Sequence, residues 1–161
     1  MPQLLRADIR PDRWFIHPEV SWLAPGEVQA DALRDLRTMD NTLSVFEVDD
    51  LANVERIAIA VASGRMKPDV MGYAVFDANA VTAGGFKLRR VHGKTADSVV
   101  NALHYDIQFL TGGRLNQLAG VMAQGKVDQI LPKRVKELLR DGLAAGHLDR
   151  EEVNQKLLSQ L

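Results

Sequence analysis

The stretch TLSVFEVDDLANVERIAIAVASGRMKPDVMGYAVF (residues 42–76) decides the fold expected for this 161-residue chain. Residues 42–48 and 70–76 are rich in apolar and β-branched residues, which is typical of buried strands. Between them, apolar residues recur every three or four positions over residues 51–61, and Gly64 follows as a helix stop. A strand, a helix and a strand with a connection of this length predict a parallel pair with a right-handed crossover.

The flanking sequence predicts further elements around this unit. Gly84-Gly85 indicates a hairpin between short strands at about 80–82 and 86–91. Helices are expected at about 27–37, 96–110 and 114–124, then from Pro132 to Gly146 and from Asp149 onward. The expected fold class is α/β, with α+β as the alternative. The expected architecture is a small mixed sheet of three to four strands with one βαβ unit and a hairpin, flanked by helices. The C-terminal third of the chain is expected to be all helical.

This pattern divides the chain into an α/β domain at residues 1–124 and a C-terminal helical hairpin at residues 126–161. Residues 1–25 hold four prolines and no periodicity, which predicts an irregular arm. The arm carries both tryptophans, Trp14 and Trp22, and large aromatic side chains are rarely left in water. We therefore expect the arm to lie across the core or across a partner.

Composition excludes several classes of protein. The chain has no cysteine, 46% apolar residues and a net charge of −1, which argues against a disulfide scaffold, a thiolate metal site and a disordered chain. No apolar run approaches the roughly 20 residues needed to span a bilayer. The N-terminal residues have no apolar signal-peptide core, so a cytoplasmic protein without a membrane partner is expected.

Charge is distributed unevenly along the chain. Residues 1–80 carry 8 Lys and Arg against 13 Asp and Glu, a net −5, whereas residues 81–161 carry 12 against 8, a net +4. Such an asymmetry favours self-association or a protein partner. Two segments are basic, residues 87–94 and residues 126–140. Nucleic acid is not an expected partner, because neither segment is interleaved with several aromatic residues for base stacking.

The first basic segment is a candidate anion site formed by Lys87, Arg89, Arg90 and Lys94. The HGKT sequence at residues 92–95 precedes an expected helix, as in a phosphate-binding loop. The full pattern requires a glycine where this chain has Leu88. The other explanation for these cations is a solvated surface.

Acidic residues at the expected strand ends form the candidate catalytic and metal site. Asp49 and Asp50 follow the first strand and Asp77 follows the second, at the edge where open α/β sheets bind ligands. Carboxylate oxygens suit Mg²⁺, and the basic segment nearby suits a phosphate. Aspartate is also a favoured helix cap and turn residue, so a structural role explains the same positions.

The four histidines include no closely spaced pair. His104 is a further candidate catalytic residue, although a histidine bonded to a backbone carbonyl is the alternative. With Asp106 on the opposite side of the expected helix, the two do not form a dyad. The serines lack a G-x-S-x-G nucleophile motif, so hydrolase chemistry has no support.

The C-terminal segment GHLDREEVNQKLL (146–158) resembles the short helical oligomerisation motif at the C-terminus of many bacterial proteins, although Gly142 departs from its upstream leucine pattern. The stripe Val153, Leu157 and Leu161 is a candidate partner contact, together with Trp14 and Trp22. The leading hypothesis is a non-catalytic protein-binding or self-assembling module, a homo-oligomer or a partner-bound protein with no cofactor. The alternative is a Mg²⁺-dependent phosphoryl-transfer or phosphodiester enzyme that uses Asp49, Asp50 and Asp77.

Overall fold

The computed structural model of the protein describes residues 2–15 and 18–161. The strands are β1 (Gln3–Ile9), β2 (Leu43–Val48), β3 (Met71–Asp77), β4 (Lys87–Arg90), β5 (His104–Gln108) and β6 (Lys126–Ile130). The α-helices are α1 (Ala52–Ala62), α2 (Ala78–Ala83), α3 (Ser98–Asn101), α4 (Gly112–Ala123), α5 (Pro132–Ala144) and α6 (Gln155–Leu158). Short 3₁₀ helices cover Pro11–Arg13, Pro18–Val20 and Ala30–Asp35.

The described strands form one six-stranded sheet in the order β4-β5-β2-β1-β3-β6, in which every neighbouring pair is antiparallel. The predicted mixed sheet of three to four strands is therefore wrong. β2 and β3 do run in the same direction and are joined by α1, as predicted, but β1 lies between them. Leu5 of β1 pairs with Phe46 on one side and with Val75 on the other.

The central position of β1 also corrects the prediction of an irregular arm over residues 1–25. The segment between Pro2 and Pro11 is long enough for a seven-residue strand, and its residues alternate between the two faces of the sheet. A bulge between Ala7 and Ile9, where Asp8 has a φ of 64°, turns Ile9 to the face opposite Ala7.

The helix expected at residues 27–37 is also shorter than predicted. It is reduced to the 3₁₀ helix Ala30–Asp35.

The predicted hairpin at residues 80–91 is half wrong. Its first strand is instead helix α2, because the Asp77 carboxylate accepts a hydrogen bond from the Asn79 amide and caps a helix there. Gly84 and Gly85 close the end of that helix rather than a two-residue β-turn. Only β4 remains of the hairpin, and it pairs with β5.

The prediction of an all-helical C-terminal third is also wrong. The expected helix at 96–110 splits into the short α3 and strand β5. Leu103 and Ile107, four apart, fit a helical period, but Tyr105 and Ile107, two apart, share one face of the strand that forms instead. Residues 126–130 form β6, which pairs with β3. The last helix begins after its cap Asn154 rather than at Asp149.

Helices cover both faces of the sheet and enclose two apolar cores. On one face, α1, α3, α5 and α6 bury Ile57, Val100, Leu139 and Leu157. On the other face, α2, α4 and the 3₁₀ helix Ala30–Asp35 bury Val81, Leu118 and Ala32. Helical layers on both sides of a sheet shield both of its apolar faces from water. The division of the chain into residues 1–124 and 126–161 stays a prediction.

Candidate functional site

Two of the three acidic residues at the strand ends, Asp50 and Asp77, bond to backbone amides close to them in the chain. The Asp50 carboxylate accepts a hydrogen bond from the Ala52 amide at 3.1 Å, and Asp77 accepts one from Asn79 at 2.8 Å. β1 lies between the ends of β2 and β3, since Gln3 pairs with both Val48 and Asp77. Within residues 2–15 and 18–161, no group of three or more His, Asp or Glu side chains is placed to hold a metal ion. This geometry gives no support to a Mg²⁺ site built from Asp49, Asp50 and Asp77.

The basic segment lies on β4, at the edge of the sheet. Arg90 is engaged inside the chain, where it donates to the Tyr105 hydroxyl, to Glu47 at 2.6 Å and to the Ala102 carbonyl at 3.0 Å. The Lys87 ammonium lies 5.3 Å from the centre of the Phe109 ring. Arg89 and Lys94 are exposed. Charged residues on a short edge strand keep it from pairing with other chains, which explains this segment without an anion.

His104 belongs to β5, and its ring is bound within the fold. Its Nδ1 lies 2.9 Å from the Val91 carbonyl oxygen, and its Nε2 lies 3.7 Å from an oxygen of Asp106. Residues two apart in a strand share a face, so Asp106 is on the same side as His104, contrary to the helical prediction. The bond to a backbone carbonyl is the structural role that the sequence left open. His17 lies outside the described residues.

The predicted C-terminal contact residues are part of the chain's own core. Val153 and Leu157 are buried, in the same core as the apolar face of α1, and Leu161 packs against that core from a half-buried position. These three side chains stabilise the fold of the chain itself. They present little apolar surface for a second molecule.

The part of the predicted arm that follows β1, with the residues up to Gln29, is called the N-terminal arm below. It is fixed to the body of the protein through Trp14 and Asp35. Trp14 is only 6% exposed, and its indole Nε1 donates to the Asp35 carboxylate at 2.9 Å. The same carboxylate accepts from the Arg10 amide at 2.9 Å and from the Arg13 guanidinium at 2.5 Å. A buried carboxylate that accepts three hydrogen bonds holds residues 10–14 in one position.

The arm then crosses α4 in close contact. A Cβ atom on Gly120 of α4 would lie 2.6 Å from the Gly26 carbonyl oxygen, so a glycine is required for this approach. Gln29 donates from its side chain to the Phe15 carbonyl at 3.3 Å, which joins the two ends of the arm segment. The first contact places Gly26 against α4, and the second ties Gln29 to the residue that follows Trp14.

Two aromatic side chains of this arm remain in contact with solvent. Trp22 is 70% exposed and Phe15 is 45% exposed. Trp22 lies in a turn closed by the Leu23 amide, which donates to the Val20 carbonyl at 3.1 Å, and Val20 itself is buried. The backbone at Trp22 is thus fixed while its indole ring points to water.

A cleft of about 590 Å³ lies at the end of β3, where β6 is shorter than its neighbour. Gly125, in the turn from α4 to β6, brings the backbone against β3, since a Cβ there would lie 2.1 Å from the Val75 carbonyl oxygen. The described side chains around the cleft come from β1, the start of α1, β3 with the following α2, and the end of α4 with the start of β6: Gln3, Leu51, Val54, Glu55, Tyr73, Val75, Phe76, Asp77, Ala80, Val121, Gln124 and Lys126.

Asp77 is the one residue of this cleft that was a candidate site residue in the sequence. The others are spread over four segments that no local pattern connects. The available signals were the lone tyrosine in the apolar strand 70–76 and the glycine directly after α4. Neither signal identifies a cleft until the strands are paired.

None of the helices in the described ranges is both long and apolar enough to span a bilayer. Comparison of the chain with protein-family models, with curated proteins and with solved structures found no match.

Proposed function

We propose that the protein is a non-catalytic protein-binding module whose contact surface is the exposed part of the N-terminal arm, centred on Trp22. The observation that carries this proposal is a tryptophan that is 70% exposed on a backbone held by the turn at residues 20–23. Tryptophan is strongly enriched among the residues that dominate binding energy at protein interfaces. An anchored position means that little conformational entropy is lost when a partner covers the ring.

The charge of the chain on either side of Trp22 defines the chemistry of the partner. Residues 14–33 contain Glu19, Glu27 and Asp31 and no Lys or Arg, and all three carboxylates are exposed. A complementary surface has an apolar pocket for the indole ring and a border of Lys or Arg side chains. Such a border increases the association rate, whereas the buried ring supplies most of the affinity.

The test compares tagged wild-type protein with Trp22→Ala and Met39→Ala in parallel captures from lysate of the source organism. Met39 is a matched control because it is 78% exposed and lies in the turn before β2, outside the arm. We expect one protein, retained in stoichiometric amount by the wild type and by Met39→Ala, to be lost from Trp22→Ala. Equal urea unfolding of the three proteins shows that the fold is unchanged.

Sedimentation of the purified proteins separates a foreign partner from self-assembly. If the occupant is a second copy, the wild type and Met39→Ala sediment as the same oligomer and Trp22→Ala sediments as a monomer. Identical captures and identical sedimentation for wild type and Trp22→Ala contradict the proposal.

A further inference from the structure

We propose that the cleft at the end of β3 binds an uncharged small organic molecule with an apolar body and a hydrogen-bonding head. Trp22 does not line this cleft, so the proposal does not depend on the proposed function. Its volume of about 590 Å³ lies within the range of small-molecule sites in proteins, roughly 300–1,000 Å³.

The Tyr73 side chain brings a hydrogen-bonding group to this cleft. Tyr73 lines the cleft and makes no side-chain hydrogen bond to another described residue. Among the described residues, Arg6 Nε is the only buried side-chain polar atom without a partner, so the Tyr73 hydroxyl is open to solvent. Burial of the ring raises the pKa of Tyr73, so the hydroxyl stays protonated and can donate to a polar group of a bound molecule.

The charged groups around the cleft carry both signs, and each is bonded within the chain. Glu55 is paired with Arg134 at 3.0 Å, and Lys126 is paired with Asp128 at 3.2 Å. The Asp77 carboxylate accepts the amide hydrogen bond that caps α2. Because a charged ligand of either sign meets a like charge at this cleft, an uncharged ligand fits it best.

The free groups that remain are neutral. The side chains of Gln3 and Gln124 are exposed at the cleft and make no hydrogen bond to the described part of the chain. The rest of the wall is apolar, with Val54, Val75 and Phe76 inside the cleft and Leu51 exposed beside it. An apolar wall with a few neutral hydrogen-bonding groups matches an aromatic or acyl amide or alcohol.

Three probes of one shape test the charge preference: benzamide, benzoate and benzylamine. Binding is followed through ¹H–¹⁵N spectra of the full-length protein, which identify the residues that each probe perturbs and give its dissociation constant. We expect benzamide to perturb the amides of residues 73–77 and 124–126 and to bind more tightly than either charged analogue.

Two variants test the role of the hydroxyl. Tyr73→Phe removes one oxygen and keeps the ring, so we expect unchanged unfolding and a dissociation constant for benzamide about 3- to 10-fold weaker, the loss of one hydrogen bond. Tyr105→Phe is the control, because Tyr105 is the other tyrosine and its hydroxyl accepts from Arg90 away from the cleft. It should bind benzamide as the wild type does.

The proposal is overturned by any of three results. The first is no perturbation of cleft residues at millimolar benzamide. The second is equal benzamide affinity for Tyr73→Phe and the wild type. The third is tighter binding of benzoate or benzylamine than of benzamide.

Discussion

Replacing Asp35 with alanine should release the N-terminal arm and destabilise the whole protein. The carboxylate is buried and accepts hydrogen bonds from the Arg10 amide, the Arg13 guanidinium and the Trp14 indole. It also offsets part of the burial that lowers the pKa of Arg6, whose guanidinium donates to the Ser44 and Asp35 carbonyls. The substitution therefore removes the partner of a buried indole and the counter-charge of two arginines.

The expected loss follows from these three bonds. A neutral hydrogen bond contributes about 1 kcal/mol and a bond to a charged group about 1.5–3 kcal/mol, and a buried donor left unpaired costs more. Three bonds to the charged carboxylate sum to about 4.5–9 kcal/mol. Arg10 is exposed and Arg13 is half-buried, so their donors regain part of this by bonding to water, which leaves a loss of about 3–5 kcal/mol. This is a large share of the roughly 5–15 kcal/mol that stabilises a typical domain. For a chain of this length the melting temperature should fall by roughly 10 °C.

Urea unfolding followed by circular dichroism and by tryptophan fluorescence measures this change. Asp31→Ala is the control, because Asp31 lies in the same 3₁₀ helix but is exposed, and it should change the free energy of unfolding by less than about 0.5 kcal/mol. Asp35→Asn keeps one acceptor oxygen and should lose less stability than Asp35→Ala. If Asp35→Ala unfolds at the same urea concentration as Asp31→Ala, the argument that this carboxylate anchors the arm is refuted.

Three other changes test separate parts of the structure. Burial would raise the pKa of Asp97, but hydrogen bonds from Arg56 and from the backbone amides that begin α3 outweigh it and hold the pKa below its usual value. The stabilisation is thus present above about pH 4 and is lost as the pH falls through the folded pKa. The wild type should exceed Asp97→Asn in unfolding free energy at pH 7, and this advantage should shrink steadily as the pH falls below about 4. Gly125→Ala should cost about 1–3 kcal/mol in urea unfolding, because the new methyl group meets the Val75 carbonyl; an unchanged midpoint would contradict the close approach. Leu157→Ala should cost about 2–5 kcal/mol by the same assay through the cavity it leaves, and a neutral result would mean that α6 is not docked on the core.

Helices and strands with a clear apolar pattern were predicted correctly, because the residues that form the pattern lie next to one another in the sequence. The apolar spacing at residues 51–61 and the glycine after it define α1, and the apolar runs around it define β2 and β3. Pro132 at the first turn marks the start of α5. In each case, the residues that form the element are also the residues that carry the pattern.

The missed strands have their partners far away in the sequence. β1 pairs with residues near positions 46 and 75, and β6 pairs with β3 some 50 residues earlier. Short segments such as KVDQI have no decisive period, so they become strands only because a neighbouring strand accepts their backbone hydrogen bonds. In β5, the strand bonds to β2 and β4 override a plausible helical spacing.

The candidate sites likewise combine residues that the sequence identified with contacts that only the structure shows. The sequence identified Trp22 as an aromatic residue in need of an explanation, and the structure shows which of the two tryptophans is buried. It placed Asp77 at the end of a strand, and the structure shows that its carboxylate caps α2. Tyr73 differs from its neighbours in the sequence only as the lone tyrosine of an apolar strand, and its place at a cleft depends on Gly125 and Lys126, which the pairing of β6 with β3 brings close to it.

The sequence by itself determined the two strands and the helix of residues 43–77, the helices α4 and α5, the absence of thiol chemistry, and the two tryptophans near the N-terminus as residues to be explained. Local spacing, capping and composition are sufficient for these. Only the tertiary structure decided that β1 is central, that the sheet is antiparallel, and that a cleft opens beside Tyr73. Strand order depends on hydrogen bonds between segments distant in the chain, and these bonds form only when both faces of the sheet are buried together.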